Sequence, residues 1–197
     1  MPTPTVPRAR ASRYQFCASS DLGRPAQYVN ERMGTVFGYR VMTDSVTANA
    51  KVVIRVTYDD GSVEVETLWA TALGNDEYKL DNSPFYAYSV SWEDIVYAPY
   101  DPLEERPTFQ RVIKKSGNRT VRIKFDPPVE DGNSSDQLLK GLVALGCSYE
   151  GANRGYMAIN IPGEVRLDLV RDYLVSKSAN WEHADPRYSE LYPSDAS

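Results

Sequence analysis

Residues 119–125, Arg-Thr-Val-Arg-Ile-Lys-Phe, decide how the rest of the chain is read. β-Branched and aromatic residues alternate there with charged ones, the period of a half-buried strand. Asp126-Pro127-Pro128 ends the run, because proline removes a ladder donor and restricts the residue before it. After the helix start signal Ser134-Ser135-Asp136, the apolar residues Leu138, Leu139, Leu142, Val143 and Leu145 recur at helical spacing as far as Gly146. Residues 147–150 and 156–161 then read as two strands around a Gly151-Ala152-Asn153 turn. A second helix presents Val165, Leu169, Val170, Tyr173 and Leu174 on one face, and residues 181–184 form a last strand. The order β-α-β-β-α-β within about 65 residues predicts a split βαβ, ferredoxin-like arrangement.

Toward the N-terminus the pattern is all β. Val52-Val53-Ile54-Arg55-Val56-Thr57-Tyr58 is a strand, Asp59-Asp60-Gly61 a hairpin turn, and residues 63–69 alternate again. In that second strand Val63 and Val65 are expected on the dry face and Glu64 and Glu66 on the wet one. A turn at Gly74-Asn75-Asp76 leads to Tyr78-Lys79-Leu80, and further strands are expected at residues 94–98 and 108–115. Five short strands with tight turns predict a small antiparallel β-barrel or curled sheet, so the fold class is α+β. The expected division is a basic, Pro- and Ser-containing extension over residues 1–50, an antiparallel β module over 51–118, a ferredoxin-like module over 119–187 and a tail over 188–197.

The chain has 197 residues, 42% of them hydrophobic and 25% charged, the values of a globular protein. Six arginines face three carboxylates in residues 1–50, a balance of +3, within a total of −5. The remainder therefore carries −8, which weighs against a general affinity for phosphate backbones. The N-terminal extension has no sustained period and reads as a disordered leader, with a nucleic-acid-binding arm as the alternative. One histidine cannot build a His-rich metal centre, and Cys17 and Cys147 are too few for a disulfide framework, which points to a reducing interior. Residues 1–20 place Pro and Arg where a secretory signal needs an apolar core, and no stretch approaches the ~20 apolar residues of a membrane span. A cytoplasmic protein is expected.

Phosphate-loop, dinucleotide-binding, H-E-x-x-H and G-x-S-x-G signatures are absent from the sequence. Cys147 and His183 would form a thiolate–base dyad only if adjacent, and a ferredoxin-like strand order of 4-1-3-2 puts them at opposite edges. Carboxylates capable of acid–base work are Glu64, Glu66, Asp81, Glu93 and Asp94, of which Asp81 and Asp94 read as turn residues. Arg154-Gly155-Tyr156 partly matches an RNA-recognition strand, with Tyr156 able to stack a base, but Ala158 replaces the second aromatic. The compositional excess is aromatic. Trp69, Tyr78, Phe85, Tyr86, Tyr88, Trp92, Tyr97 and Tyr100 all lie within 32 residues. Core filling is expected for Trp69 and Phe85, and an interface for some of the tyrosines.

Three spaced runs carry a likeness: Glu66-Thr67-Leu68-Trp69-Ala70, then Tyr78-Lys79-Leu80-Asp81-Asn82-Ser83-Pro84-Phe85-Tyr86, then Asp94-Ile95-Val96-Tyr97-Ala98. With Ser116-Gly117-Asn118, Leu145-Gly146-Cys147, Glu150-Gly151 and Ile161-Pro162 following in order, residues 51–187 resemble the bacterial family called domain of unknown function 4265. Ser83 departs from the branched apolar residue common at that position. The resemblance implies a fold and no activity. Asp81-Asn82-Ser83-Pro84-Phe85 reads as a structural corner, with a cleft lined by Asp81, Asn82 and Asp94 as the functional alternative. The candidate interface or motif residues are Trp69, Tyr78, Asp81, Asn82, Pro84, Phe85, Tyr86, Tyr88, Asp94 and Tyr97. No catalytic residue, cofactor or metal is assigned. The expected role is a non-catalytic protein-binding module, of inhibitor or immunity type, for a basic protein partner. A small-ligand or hydrolytic enzyme and an RNA binder are the alternatives.

Overall fold

Gly61, at a φ of 78° that suits glycine, reverses the chain between β1 (Ala50–Thr57) and β2 (Val63–Gly74). These strands pair antiparallel from Ala50 opposite Ala70 to Thr57 opposite Val63. The computed structural model describes residues 48–58 and 60–193, so the basic extension and Cys17 lie outside the described residues. Asn75 and Asp76, both at positive φ, turn β2 into β3 (Glu77–Leu80). A long connection reaches β4 (Ile95–Tyr97). A short ribbon of β5 (Tyr100–Asp101) and β6 (Arg106–Pro107) precedes β7 (Arg111–Lys114). The sheet order is β1-β2-β3-β4-β7.

This sheet is open, which corrects the barrel expectation. Closure would require a ladder between β1 and β7, but β1 offers its outer edge to a single parallel bridge, Val53 to Thr108, with the Phe109 N–H donating to the Val53 carbonyl at 2.7 Å. Arg55 ties the ribbon to the same strand through Asp101 at 2.7 Å and Glu104 at 3.0 Å. The inner face buries Val52, Ile54, Val56, Leu68, Ala70, Leu80 and Val96, and it is capped by Ala87 and Val90 from the β3–β4 connection. Each valine, leucine or isoleucine among them contributes roughly 1.5–3 kcal/mol on leaving water.

The second sheet uses β8 (Arg119–Lys124), β9 (Ser148–Asn153), β10 (Tyr156–Ile161) and β11 (Asn180–Asp185), with α1 (Ser134–Ala144) between β8 and β9 and α2 (Leu167–Ser176) between β10 and β11. A helical turn, α3 (Tyr188–Leu191), follows. The strand order is β11-β8-β10-β9, and every neighbouring pair is antiparallel. Asn133 caps α1 by accepting the Asp136 N–H at 2.9 Å, one residue ahead of the expected Ser134 start. Val121, Ile123, Met157, Ile159 and Ile161 face Leu138, Leu139, Leu142, Val170 and Leu174, forming a core apart from that of the first sheet.

Two local expectations fail. The β9–β10 turn falls at Arg154 and Gly155, because Gly151, Ala152 and Asn153 continue β9 around a bulge. Leu169 is 48% exposed and leaves the buried face of α2 to Val170 and Leu174. Among the described residues no helix is long and apolar enough to cross a membrane.

Candidate functional site

The alternation along β2 runs opposite to expectation. Glu66 lies in phase with Leu68 and Ala70 and is 7% exposed, whereas Val63 and Val65 are 54% and 52% exposed. Parity explains the reversal: the inner face must include Leu68 and Ala70, so it includes Glu66 as well. Trp69 consequently takes the outer face and is half-buried under Lys51, whose Nζ lies 4.3 Å from the ring centroid. It is not a core residue.

The buried Glu66 carboxylate has a defined task. Its Oε1 accepts the Phe85 N–H at 2.5 Å, and its Oε2 accepts those of Tyr86 at 3.0 Å and Ala87 at 2.7 Å. These donors belong to an irregular stretch, residues 81–88, whose polar backbone groups have no ladder to join.

The second sheet supplies the rest. Glu182, Arg122, Ala158 and Glu150 stand opposite one another across β11, β8, β10 and β9, on the face away from the helices. Glu150 Oε1 accepts the Ser83 N–H at 2.9 Å. Arg122, 2% exposed, donates to the carbonyls of Pro84 and Ala87 and to Glu182 at 3.1 Å. The Tyr156 hydroxyl donates to the Phe85 carbonyl at 3.0 Å, and its ring stacks on Tyr86 with centroids 6.0 Å apart. Tyr88 donates to Glu182 at 2.8 Å, with the guanidinium carbons of Arg122 and Arg187 at 4.5 Å and 4.8 Å from its ring. Asn82, 8% exposed, accepts the Trp69 N–H at 2.7 Å, and the Asp81 N–H reaches the Trp69 carbonyl at 2.8 Å.

Asp94 lies in a second network. Fully buried, it accepts the N–H groups of Ser91 at 2.9 Å and Ser116 at 2.7 Å, and Lys115 Nζ at 3.1 Å. The same Nζ lies 2.7 Å from Asp185, which also accepts the Ser91 hydroxyl at 2.6 Å. Asp94 thus joins β4 to β8 and β11, since Ser91 Oγ contacts Thr120 Oγ1 at 2.9 Å. Tyr78 packs against the first core, and Tyr97 lies beneath Arg111 with 5.0 Å from guanidinium to ring.

Of the residues expected from sequence, Asp81, Asn82, Pro84, Phe85, Tyr86 and Tyr88 are therefore gathered in one seam. Asp94 has its own network, and Trp69, Tyr78 and Tyr97 lie at the sheet surface or core. Phe85 is half-buried and belongs to neither hydrophobic cluster. Asn82 and Asp94 direct their side chains to the fold, as a structural corner requires. Sequence reasoning missed Arg122, Glu150, Glu182, Lys115 and Asp185. Two of these carried a signal: Arg122 as a charge set between Val121 and Ile123 in an apolar strand, and Glu150 as part of the Glu150-Gly151 step of the family likeness.

The electrostatics follow from burial. Glu150 is pushed up to about 7, first by burial and then by the neighbouring Asp81 and Glu66 carboxylates, against the opposing Ser83 N–H. Burial also raises Tyr86, Tyr88 and Tyr156. Cys147 is a buried thiol pushed up to about 11 by desolvation, and His183 is lowered by burial and by Arg171. Cys147 precedes β9 and His183 sits on β11, at opposite edges of the sheet. The face that would stack RNA bases is covered by residues 83–88. A cleft of about 440 Å³ opens elsewhere, between Lys124, Asp126, Ser134, Gln137, Lys177 and Asn180. Among the described residues no three His, Cys, Asp or Glu side chains are grouped to hold a metal ion.

A crystal structure described as a novel structure of a hypothetical protein from Neisseria gonorrhoeae superposes with a TM-score of 0.60 at 17% identity, covering 71% of this chain and 96% of that one. That likeness bears on the fold alone. No curated protein matches the chain in sequence. Residues 66–184, which hold Glu66, the 81–88 stretch and the Glu182–Arg122–Ala158–Glu150 row, match the family described as Domain of unknown function (DUF4265), and the chain belongs to that family.

Proposed function

We propose that this chain is a non-catalytic protein-binding module of the bacterial cytoplasm, with a ferredoxin-like half from residue 119 joined to the open sheet, and that it docks its partner at the end of the β1–β2 hairpin. One observation carries the reading. Val63 and Val65, strand residues of high β propensity, are more than half exposed, and Tyr58 and Tyr86 are each 36% exposed at the same end. Tyr58 donates to Glu64 at 3.0 Å, and Tyr86 is near enough to act on the Tyr58 phenol, whose pKa burial and Glu64 push up to about 12. Tyrosines with one apolar face and one polar tip suit a protein interface. Glu64 and Asp60 give this end an acidic border, which favours a basic partner by speeding encounter.

The test is affinity capture from the native host with the wild type, V63E/V65E and L169E. Leu169 is an exposed apolar control on α2. A protein captured by the wild type and L169E but lost with V63E/V65E, at unchanged thermal stability, is the expected result. Equal capture by all three, or capture of none, overturns the proposal.

A further inference from the structure

Charge in the first sheet is sorted by face. Residues 51–118 hold seven cations against twelve carboxylates, a balance of −5. Among the described strand residues, Glu64 and Glu66 are in phase with the inner face, and Glu77 is the one carboxylate in phase with the outer. The cations take the opposite course. Lys51 stands opposite Trp69, Lys79 opposite both Thr71 and Ile95, Lys114 opposite Ile95, and Arg111 opposite Tyr97, all on the outer face. The carboxylates beside them are Glu77, across from Tyr97, and Glu93, 3.7 Å from Lys79 in a pair that solvent screens. Four cations thus meet two carboxylates, a local balance of +2. Two rings lie among these charges. Trp69 on β2 and Tyr97 on β4 are half-buried, with the Lys51 Nζ 4.3 Å from the first ring centroid and the Arg111 guanidinium 5.0 Å from the second. The long helices pack on the second sheet and α3 lies against β11, so among the described residues no helix covers these rows.

We propose that this face binds single-stranded nucleic acid, with bases stacked on Trp69 and Tyr97 and phosphates held by Lys51, Lys79, Arg111 and Lys114. Cations alone would suit any polyanion. Rings set between cations on alternate strands suit a single strand, whose bases and phosphates must be met together. A base that stacks on Trp69 displaces Lys51, whose ammonium is then free for the adjacent phosphate, and Arg111 moves from Tyr97 in the same way. Stacking on a base outweighs a cation–π contact at an exposed ring, so the exchange runs toward the bound state. A duplex keeps its bases in its own stack and gains the charge contacts alone. The hairpin end that docks a protein lies at the other end of β1 and β2, so either surface can fail without the other.

The experiment is fluorescence anisotropy with labelled oligothymidylate and oligouridylate of about 16 nucleotides, near the upper site size of one domain, titrated with the full chain. A dissociation constant of about 10⁻⁵ M or tighter is expected at low salt, and the tighter of the two oligomers identifies DNA or RNA as the source. Log affinity should fall against log salt with a slope of roughly −3, about 0.7 for each of the four cations. Y97L keeps an apolar side chain without the ring and should bind at least about fivefold more weakly at unchanged thermal stability. R111E/K114E should bind at least about tenfold more weakly, whereas R154E/K177E, the same charge change at exposed positions of the second module, should lose less than about threefold. No anisotropy change at low salt, equal losses in the two charge-reversal variants, full affinity in Y97L, or a duplex of the same length that competes as well as the single strand overturns the proposal.

Discussion

Removing the Glu66 carboxylate tests the seam most directly. In Glu66→Ala, the N–H groups of Phe85, Tyr86 and Ala87 lose their acceptor together. An orphaned buried donor costs about 1–3 kcal/mol. Ala87 is 2% exposed and bears the full penalty, whereas the half-buried Phe85 and the 36% exposed Tyr86 regain part of theirs from water. The expected loss is about 3–5 kcal/mol, a large share of the ~5–15 kcal/mol that stabilises an ordinary domain. Glu66→Gln is more informative. One oxygen remains, so either the Phe85 site on Oε1 or the Tyr86 and Ala87 site on Oε2 meets an NH₂ donor instead, and the loss should be roughly half that of alanine. Glu64 shares the face but is exposed, so Glu64→Ala should cost no more than about 0.5 kcal/mol. Urea unfolding followed by tryptophan fluorescence gives the three values, and hydrogen exchange at residues 85–87 localises the damage. A Glu66→Ala protein within about 1 kcal/mol of the wild type, with those amides still protected, would refute the assignment of this carboxylate as the clamp.

Lys115→Met should destabilise by about 3 kcal/mol, because the buried Asp94 and Asp185 then face each other without their shared cation; urea midpoints check this. Gly141→Ala should bring no helix-propensity gain, since a Cβ there would lie 1.8 Å from the Tyr173 hydroxyl; thermal melts should show the gain of about 1 kcal/mol restored in the double variant with Tyr173→Ala, relative to Tyr173→Ala alone. His183 titrates below its ordinary 6.5 because burial and Arg171 disfavour its cation. Its contribution to stability is therefore present above about pH 6.5 and lost as pH falls through the lowered value, so His183→Phe should flatten the acid side of a stability–pH profile.

How far the chain was legible depends on the range of the interactions concerned. The Leu138, Leu142, Val170 and Leu174 spacings and the alternation in β8 and β10 answer to local geometry, and those elements stand where periodicity puts them. Glu66 was misread because alternation identifies two faces of a strand without saying which is buried, and two valines looked drier than two glutamates. The choice was made elsewhere, by Leu68 and Ala70 and by a stretch needing an acceptor for its N–H groups. Arg122 and Glu150 are 28 residues apart in sequence and share a row only because β10 inserts between β8 and β9. No local pattern encodes that meeting.

The 119–125 stretch and the residues C-terminal to it thus determined, unaided, an α+β chain whose last part runs β-α-β-β-α-β, since strand and helix periods are properties of a few neighbouring residues. Only the tertiary structure decided that the face of this sheet away from the helices is covered by residues 81–88, and that Glu66, Arg122, Glu150 and Tyr156 hold them there. An irregular segment has no ladder of its own. Its buried N–H and C=O groups must therefore find side chains brought from distant strands, and that pairing exists only once both sheets have formed.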